Sequence, residues 1–199
     1  MDTDTHQPFD NYFESSIFNN CLTYYYFKGG FSPEECTKII DCFSPVCTSN
    51  AHVFENKASE LRKTKVCWIP RNSTTQWIYD RLISFTKTAN NDMYKFDLTG
   101  LHDTIQFTLY DSENGEAFYR NHLDLGKNDI YSCRKISVSV QLSDGNTYNG
   151  ADLKIKGTPV PRDQGCVITF PSFSEHEVTP IVSGKRYSLV LWVYGPHFK

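Results

Sequence analysis

The second half of the chain alternates between apolar and polar residues in short runs, which is the period of a β-strand. In the run DTIQFTLY (103–110), Ile105, Phe107 and Leu109 alternate with polar neighbours. The run RKISVSVQLS (134–143) continues this pattern, and further strands are expected at 151–156, 165–170, 176–181 and 186–194. Many short strands separated by turns predict a sandwich or a barrel.

The first half carries the signals of two helices and two strands. Ser32, Pro33 and Glu35 form a capping box with proline at the first helical position. A second helix is expected after the polar stretch 72–75. The residues expected to be buried on the two helices are Ile39, Ile40 and Phe43, then Trp77, Ile78, Leu82 and Phe85. With strands at 22–28 and 61–70, the sequence predicts a mainly β fold of the α+β class, with two helices packed on the outside.

Composition narrows the class of protein further. The 199 residues, 39% of them hydrophobic, predict one domain over 21–199 behind a polar N-terminal arm at 1–20. Because the net charge of −3 comes from interspersed acids and bases, generic nucleic-acid binding is disfavoured. No apolar run is long enough for a membrane span, and the acidic start lacks the features of a secretory signal. Seven cysteines without a C-x-x-C pair indicate free thiols, so we expect a cytoplasmic protein.

The candidate chemistry begins at the segment YRNHLDLG (119–126), where His122 and Asp124 are separated by one residue. In an extended chain, side chains at i and i+2 share a face, so these two can converge as metal ligands. A hydrogen-bonded surface pair is the alternative. Two histidines and one carboxylate on one face are the ligand set of non-haem iron(II) oxygenases, and His176, at a later strand start, is placed to be the third ligand.

If the iron works with a co-substrate that has two carboxylates, the sequence should also contain a residue that binds the second carboxylate. An iron-chelating keto-diacid needs its far carboxylate held, and a guanidinium does this through parallel charge-assisted bonds. Arg186 opens the apolar strand ten residues after His176, and Ser188 shares its face. The alternative is that Arg186 pairs with a structural aspartate or glutamate.

Four motifs resemble one known family. They are QFTLYDSENGEAFYRNHLD (106–124), NGADLKI (149–155), HEVTPIVSGKRYSLVLW (176–192) and GPHF (195–198). Together they are similar to the iron(II)- and 2-oxoglutarate-dependent dioxygenases, specifically the prolyl 4-hydroxylase-like, PKHD-type branch. The resemblance covers about 100–199 most clearly. It implies a double-stranded β-helix, the cupin-like jelly roll.

The resemblance also implies roles for individual residues. It implies iron(II) bound by His122, Asp124 and His176, and 2-oxoglutarate held by Arg186 with help from Tyr110 and Ser188. Gln106 and Trp192 are expected to line the pocket, although Trp192 is equally suited to the barrel core. Two positions depart from the family pattern. Twelve positions separate Tyr110 from His122, two more than in some animal prolyl hydroxylases, and Asn149 stands where a second glycine is common.

The implied activity is hydroxylation of a C–H bond with O2 and 2-oxoglutarate, supported by ascorbate. The implied substrate is a prolyl or other residue in a protein or peptide, and the alternative is a free amino acid or small metabolite. Segments 51–60 and 125–133 are expected to form loops beside the metal. Outside the enzyme class, the same residues could form a non-catalytic jelly-roll module that binds zinc or nickel.

Overall fold

The computed structural model describes residues 23–51, 58–127 and 130–198, so the predicted arm at 1–20 lies outside the described residues. Three α-helices lie within these ranges: α1 (Pro33–Phe43), α2 (Ala58–Leu61) and α3 (Gln76–Ala89). The strands in the same ranges are β1 (Tyr25–Phe27), β2 (Ser49–Asn50), β3 (Arg62–Lys63), β4 (Lys65–Ile69), β5 (Ile105–Asp111), β6 (Phe118–His122), β7 (Arg134–Gln141), β8 (Asn149–Gly150), β9 (Leu153–Ile155), β10 (Thr158–Pro159), β11 (Val167–Pro171), β12 (His176–Val178), β13 (Ile181–Ser183) and β14 (Lys185–Tyr194).

Most of these strands form two sheets. The larger sheet has the order β1-β11-β7-β14-β5-β4-β2, and the smaller has the order β10-β9-β12-β6-β3. Strand β13 pairs separately with β8. Every pairing in the sheets is antiparallel, and side chains from the inner faces of both sheets form one apolar cluster that includes Phe170 and Ile155. The prediction of a mainly β fold is therefore confirmed.

Both long helices cover the outer face of the larger sheet. Ile39 of α1 and Leu82 of α3 are buried in one cluster with Phe107, Val138 and Leu191 of the sheet. The capping box of α1 is present as predicted: the Ser32 hydroxyl accepts from the Glu35 backbone N–H, and the Glu35 carboxylate accepts from the Ser32 N–H. The other residues predicted to be buried are only partly covered, although all of them pack against this cluster: Ile40, Phe43, Trp77 and Phe85.

The polar faces of the strands are buried as well, which the alternating pattern did not indicate. Along β7, Ile136, Val138 and Val140 join the helix-side cluster. Their polar neighbours Ser137 and Gln141 are also buried, although they occupy the opposite face of the strand. The space between the two sheets therefore has a polar wall.

Two predicted strands are divided in the structure. The run predicted at 61–70 splits at Thr64: β3 pairs with β6 in the smaller sheet, whereas β4 pairs with β5 in the larger one. The run predicted at 176–181 ends as β12 at Val178, because Pro180 has no N–H for a ladder. The run at 151–156 shortens to β9 because Ala151 and Lys156 adopt positive φ values of 50° and 49°.

Two further observations bear on the class of protein. No helix in the described ranges is long and apolar enough to cross a membrane. The six cysteines in these ranges, Cys36, Cys42, Cys47, Cys67, Cys133 and Cys166, are all free thiols.

Gly165 links helix α1 to the larger sheet, and its replacement tests that link. Its N–H donates to the Gln141 carbonyl, and its own carbonyl accepts from the Phe31 N–H. Its φ is +75°, and a Cβ there would lie 1.8 Å from the Phe31 carbonyl oxygen. We expect Gly165→Ala to lower the free energy of unfolding by about 1–2 kcal/mol because of the left-handed backbone, and by a further ~1–3 kcal/mol because the added Cβ collides with Phe31.

Gly157 is the matched control for that substitution. Its φ is +77°, but nothing lies within 4 Å of the added Cβ. Gly157→Ala should therefore lower the free energy of unfolding only by the amount due to the left-handed backbone. Urea unfolding monitored by circular dichroism measures both losses. Equal losses for the two variants would contradict the close contact at Gly165.

Candidate metal and dicarboxylate site

The three predicted metal ligands lie together at one end of the smaller sheet. His122 ends β6 and His176 begins β12, and the two residues are cross-strand partners. Asp124 follows β6 in a turn held by its N–H, which donates to the Ser172 carbonyl at 3.1 Å. One Asp124 oxygen lies 3.7 Å from His122 Nε2 and the other lies 3.3 Å from His176 Nε2. Sheet register therefore brings the three side chains together.

Backbone carbonyls fix the tautomer of both imidazoles. His122 Nδ1 lies 2.8 Å from the Arg120 carbonyl oxygen, and His176 Nδ1 lies 2.9 Å from the Ser174 carbonyl oxygen. A carbonyl oxygen can only accept, so each Nδ1 carries the proton. Each Nε2 therefore turns its lone pair toward Asp124. This second hydrogen bond is the usual way in which a histidine ligand is oriented.

The charge of Asp124 suits a metal ligand. Burial acts against its ionisation, but the imidazoles of His176 and His122 hold the pKa of this carboxyl well below its usual range. Burial and the nearby His176 lower the pKa of His122. Burial also opposes the charged form of His176, but the Asp124 carboxylate outweighs it and raises the pKa of that imidazole.

These three residues fit a first-row transition metal. One ligand atom from each lies within 4.8 Å of the others, which is close enough for a single ion. Two imidazoles and one carboxylate form the set that suits non-haem iron(II) and leaves further coordination positions open. The donor set therefore matches the predicted iron site.

Ser137 supports this cluster from the larger sheet. Its hydroxyl donates to Asp124 Oδ2 at 2.7 Å and lies 3.0 Å from the Ser172 hydroxyl. Arg134 donates to the Asp124 backbone carbonyl at 3.3 Å and to the Asp103 carboxylate at 2.6 Å. Asp124 is thus oriented by groups outside the ligand set.

Arg186 is a buried guanidinium without a carboxylate partner among the described residues. It is only 1% exposed, and its Nε and Nη2 donate to the Gln141 side-chain oxygen at 3.0 and 2.7 Å. Its Nη1 is buried and has no partner. A buried cation with an unused donor is costly unless a ligand completes it, so this position fits the far carboxylate of a dicarboxylic acid.

Tyr110 and Ser188 lie beside Arg186, as predicted. Tyr110 is the cross-strand partner of Arg186, and its ring centre lies 5.3 Å from the Arg186 guanidinium carbon. Burial raises the pKa of Tyr110, although Arg62 and Arg186 act in the opposite direction, so the phenol keeps its proton and can donate. Ser188 is buried two positions along β14 on the same face.

One cavity of about 1200 Å³ contains the whole constellation. All the residues named from the sequence lie on its wall: Gln106, Tyr110, His122, Asp124, His176, Arg186, Ser188 and Trp192. Trp192 combines the two roles considered for it, because it also packs in a small core cluster with Cys133 and Tyr194. Its indole N–H is buried without a partner.

Three residues of the site were not identified from the sequence. Ser137 and Gln141 lie on the polar face of β7, and a search for polar residues two or four apart in that strand would have found them. Arg62 gave no signal, because the run 61–70 appeared to be one continuous strand. The segments predicted as loops, 51–60 and 125–133, lie partly outside the described residues. The prediction is wrong for the end of the first segment, which is part of helix α2, whereas Leu125, Gly126 and Tyr131 of the second line the cavity.

Comparison with known proteins gives one family model and several relatives that match part of the chain. Residues 105–194 match the model of the 2OG-Fe(II) oxygenase superfamily. A PKHD-type hydroxylase of Hyphomonas neptunium is 34% identical over 89 residues, which cover 41% of this chain and 39% of that protein. A PKHD-type hydroxylase of Shewanella oneidensis is 36% identical over 62 residues, which cover 29% of this chain and 28% of that protein. The matched part is therefore less than half of the length of these relatives.

Solved structures resemble the chain over most of its length. A Pseudomonas putida prolyl-4-hydroxylase has a TM-score of 0.66 and 22% identity, covering 91% of this chain and 96% of that one. A Trichoplax adhaerens prolyl hydroxylase, in complex with a peptide fragment of hypoxia inducible factor, has a TM-score of 0.71 and 17% identity. The match covers 90% of this chain and 86% of that one. The likeness confirms the predicted double-stranded β-helix fold.

The bond from Ser137 to Asp124 predicts an effect on metal affinity. Ser137→Ala removes the hydroxyl that donates to the Asp124 carboxylate. Loss of such an orienting group typically costs 10- to 100-fold in metal affinity, and we expect a loss in that range. Anaerobic calorimetric titration with iron(II) measures it. Ser139→Ala, on the same strand as Ser137 and on the cavity wall, is the control and should bind iron as the wild type does.

Proposed function

We propose that the chain is an iron(II)- and 2-oxoglutarate-dependent dioxygenase that hydroxylates a C–H bond, and the match of residues 105–194 to the model of the 2OG-Fe(II) oxygenase superfamily supports this. One observation carries the proposal. The cluster His122, Asp124 and His176 shares a single cavity with Arg186, whose Nη1 is buried and unpartnered. A metal site and a carboxylate site in one cavity are what a chelating keto-diacid requires.

The proposal assigns a role to each predicted residue. His122, Asp124 and His176 would hold iron(II), and Arg186 would bind the far carboxylate of 2-oxoglutarate with donors from Tyr110 and Ser188. When bound, iron and 2-oxoglutarate would use O2 to hydroxylate an unactivated C–H bond of the substrate, with succinate and CO2 as co-products. Ascorbate would sustain activity by keeping the iron reduced.

The protein itself would supply orientation and a shielded site. The carbonyls of Arg120 and Ser174 hold each Nδ1 proton and so keep both Nε2 atoms directed at the metal position. Ser137 holds one oxygen of Asp124. Apolar side chains, including Phe170, Leu153 and Val178, line the cavity beside these groups, and exclusion of water strengthens the electrostatic interactions inside it.

The proposed substrate is a prolyl residue in a protein or peptide. Two similar structures support this choice: one is a prolyl-4-hydroxylase and the other is a prolyl hydroxylase in complex with a peptide fragment. The cavity wall also includes large apolar side chains that are half exposed, Trp68 at 50% and Leu123 at 47%, which could contact a chain outside the cavity. The second candidate is a free amino acid or small metabolite, and the buried cation Arg62 on the cavity wall favours it.

Two further points complete the proposal. A non-catalytic module that binds zinc or nickel has no need for a buried dicarboxylate clamp, so Arg186 opposes that alternative. The six described cysteines are free thiols, which supports a cytoplasmic location.

Succinate formation tests the proposed activity. Purified protein with iron(II), ascorbate and 2-oxoglutarate under air should form succinate slowly even without added substrate. His176→Ala should abolish this turnover because a metal ligand is lost. Arg186→Ala should weaken 2-oxoglutarate binding roughly 30-fold or more, because truncating one partner of a buried charge pair costs at least about 2 kcal/mol.

Arg71→Ala is the matched control, because Arg71 is exposed and lies off the cavity wall. Its turnover should equal that of the wild type. If the wild type forms no succinate, binding of 2-oxoglutarate to the anaerobic iron(II) form decides the matter. Absence of that binding would contradict the proposal and favour the metal-binding module.

A further inference from the structure

Arg62 is a second buried guanidinium on the wall of the same cavity. It lies in β3 and is 9% exposed. Its Nε donates to the Thr64 hydroxyl and its Nη2 donates to the Gln106 side-chain oxygen, both at 2.8 Å. Both acceptors are neutral, so neither compensates the charge of the guanidinium.

An aromatic ring packs against this guanidinium. The Arg62 Cζ lies 4.5 Å from the centre of the Tyr119 ring. The Tyr119 ring in turn stacks on His122, with centres 3.5 Å apart and planes inclined by 16°. A ring on the face of a guanidinium leaves the edge available for hydrogen bonds, and Arg62 uses two of its edge donors, Nε and Nη2, for Thr64 and Gln106. Arg62 is therefore held rigidly, one ring away from a predicted metal ligand.

The carboxylates of the cavity wall have other partners. Among the described wall residues, only Asp103 and Asp124 carry carboxylates. Asp103 accepts from Arg134 at 2.6 Å, and Asp124 faces the two imidazoles. No described carboxylate lies within ion-pair distance of Arg62. Because an unpaired charge is costly to bury, Arg62 needs an anionic partner from outside the described chain.

The two unpaired guanidiniums of the cavity come from different sheets. Arg186 belongs to β14 of the larger sheet, whereas Arg62 belongs to β3 of the smaller sheet, beside β6 and its His122. Each is held in place by a neutral side-chain oxygen, from Gln141 for Arg186 and from Gln106 for Arg62. The wall therefore carries two guanidiniums without a described carboxylate partner, and the proposed co-substrate uses only the one at Arg186.

We propose that Arg62 binds a carboxylate of the substrate and so selects acidic substrates. The inference rests on the proposed function for the identity of the reaction, but the anion site itself rests on the contacts of Arg62. The carboxylate would lie close to the carbon that is hydroxylated, because Arg62 is separated from His122 by one aromatic ring. Its source would be either the terminal carboxylate of an amino acid or the side chain of an acidic residue next to a proline.

Matched pairs of probes test this proposal and distinguish the two sources. N-acetyl-proline and N-acetyl-prolinamide differ in a terminal carboxylate. The blocked dipeptides acetyl-Pro-Asp-amide and acetyl-Pro-Asn-amide differ in a side-chain carboxylate. Calorimetric titration of the anaerobic protein, loaded with iron(II) and 2-oxoglutarate, gives the affinity of each. We expect the acid of at least one pair to bind tenfold or more tightly than its amide.

Three variants link that preference to Arg62. Arg62→Gln should remove the preference, and Arg62→Lys should keep part of it. Gln106→Glu leaves Arg62 in place but gives it a carboxylate partner, so it should remove the preference even if Arg62→Gln folds poorly. Arg71→Gln, a change at an exposed arginine off the cavity wall, should leave the preference intact. Thermal unfolding of each variant reports whether it folds.

Three results would overturn the proposal. They are a wild type that binds no acid more tightly than its amide, a preference that survives in both Arg62→Gln and Gln106→Glu, and a loss of 2-oxoglutarate binding in folded Arg62→Gln. The last result would place Arg62 in the co-substrate site. Failure of the proposed function would give a different result. The wild type would then neither bind 2-oxoglutarate nor form succinate, but the metal-loaded protein without 2-oxoglutarate would still bind acids more tightly than their amides.

Discussion

Burial of both faces of the larger sheet is the constraint on which the rest of this structure depends. One face packs on the two long helices through residues such as Phe107, Val138 and Leu191. The other face carries polar side chains into the space between the sheets, where each of them needs a hydrogen-bond partner. Ser137 donates a hydrogen bond to Asp124, and Gln141 accepts one from Arg186. The polar wall of the cavity is thus a direct result of enclosing a two-faced sheet.

Strand β7 connects the two halves of the site. Ser137 and Gln141 are four positions apart on one face, so the first supports the predicted metal ligands and the second supports the predicted carboxylate clamp. Rigid strands hold such groups more accurately than loops do. The distance between metal and clamp is therefore set by the rise of a single β-strand. This accounts for the regular geometry of a site whose ligands come from separate segments of the chain.

The sequence predicted the longer strands, the two long helices and part of the cavity wall because those features leave local patterns. Alternation marked β5 and β7, an apolar run marked β14, and the His-x-Asp spacing marked His122 and Asp124. Other features depend on tertiary structure. Alternation does not say whether a polar face meets solvent or a second sheet, so Gln141 was missed. Nothing local shows that the chain changes sheets at Thr64, and that change is what brings Arg62 to the cavity.

The two faces of β7 also limit how this protein can change over evolutionary time. Core residues occupy its even-numbered positions, Ile136, Val138 and Val140, and the supports Ser137 and Gln141 occupy odd-numbered ones. Deleting one residue within the strand would exchange these two sets. Polar groups would then meet the helices, and branched aliphatic groups would meet Asp124 and Arg186. Lineages that keep the fold must keep the core residues and the polar residues of this strand on their present faces. The site can therefore change here by substitution but not by insertion or deletion of a residue.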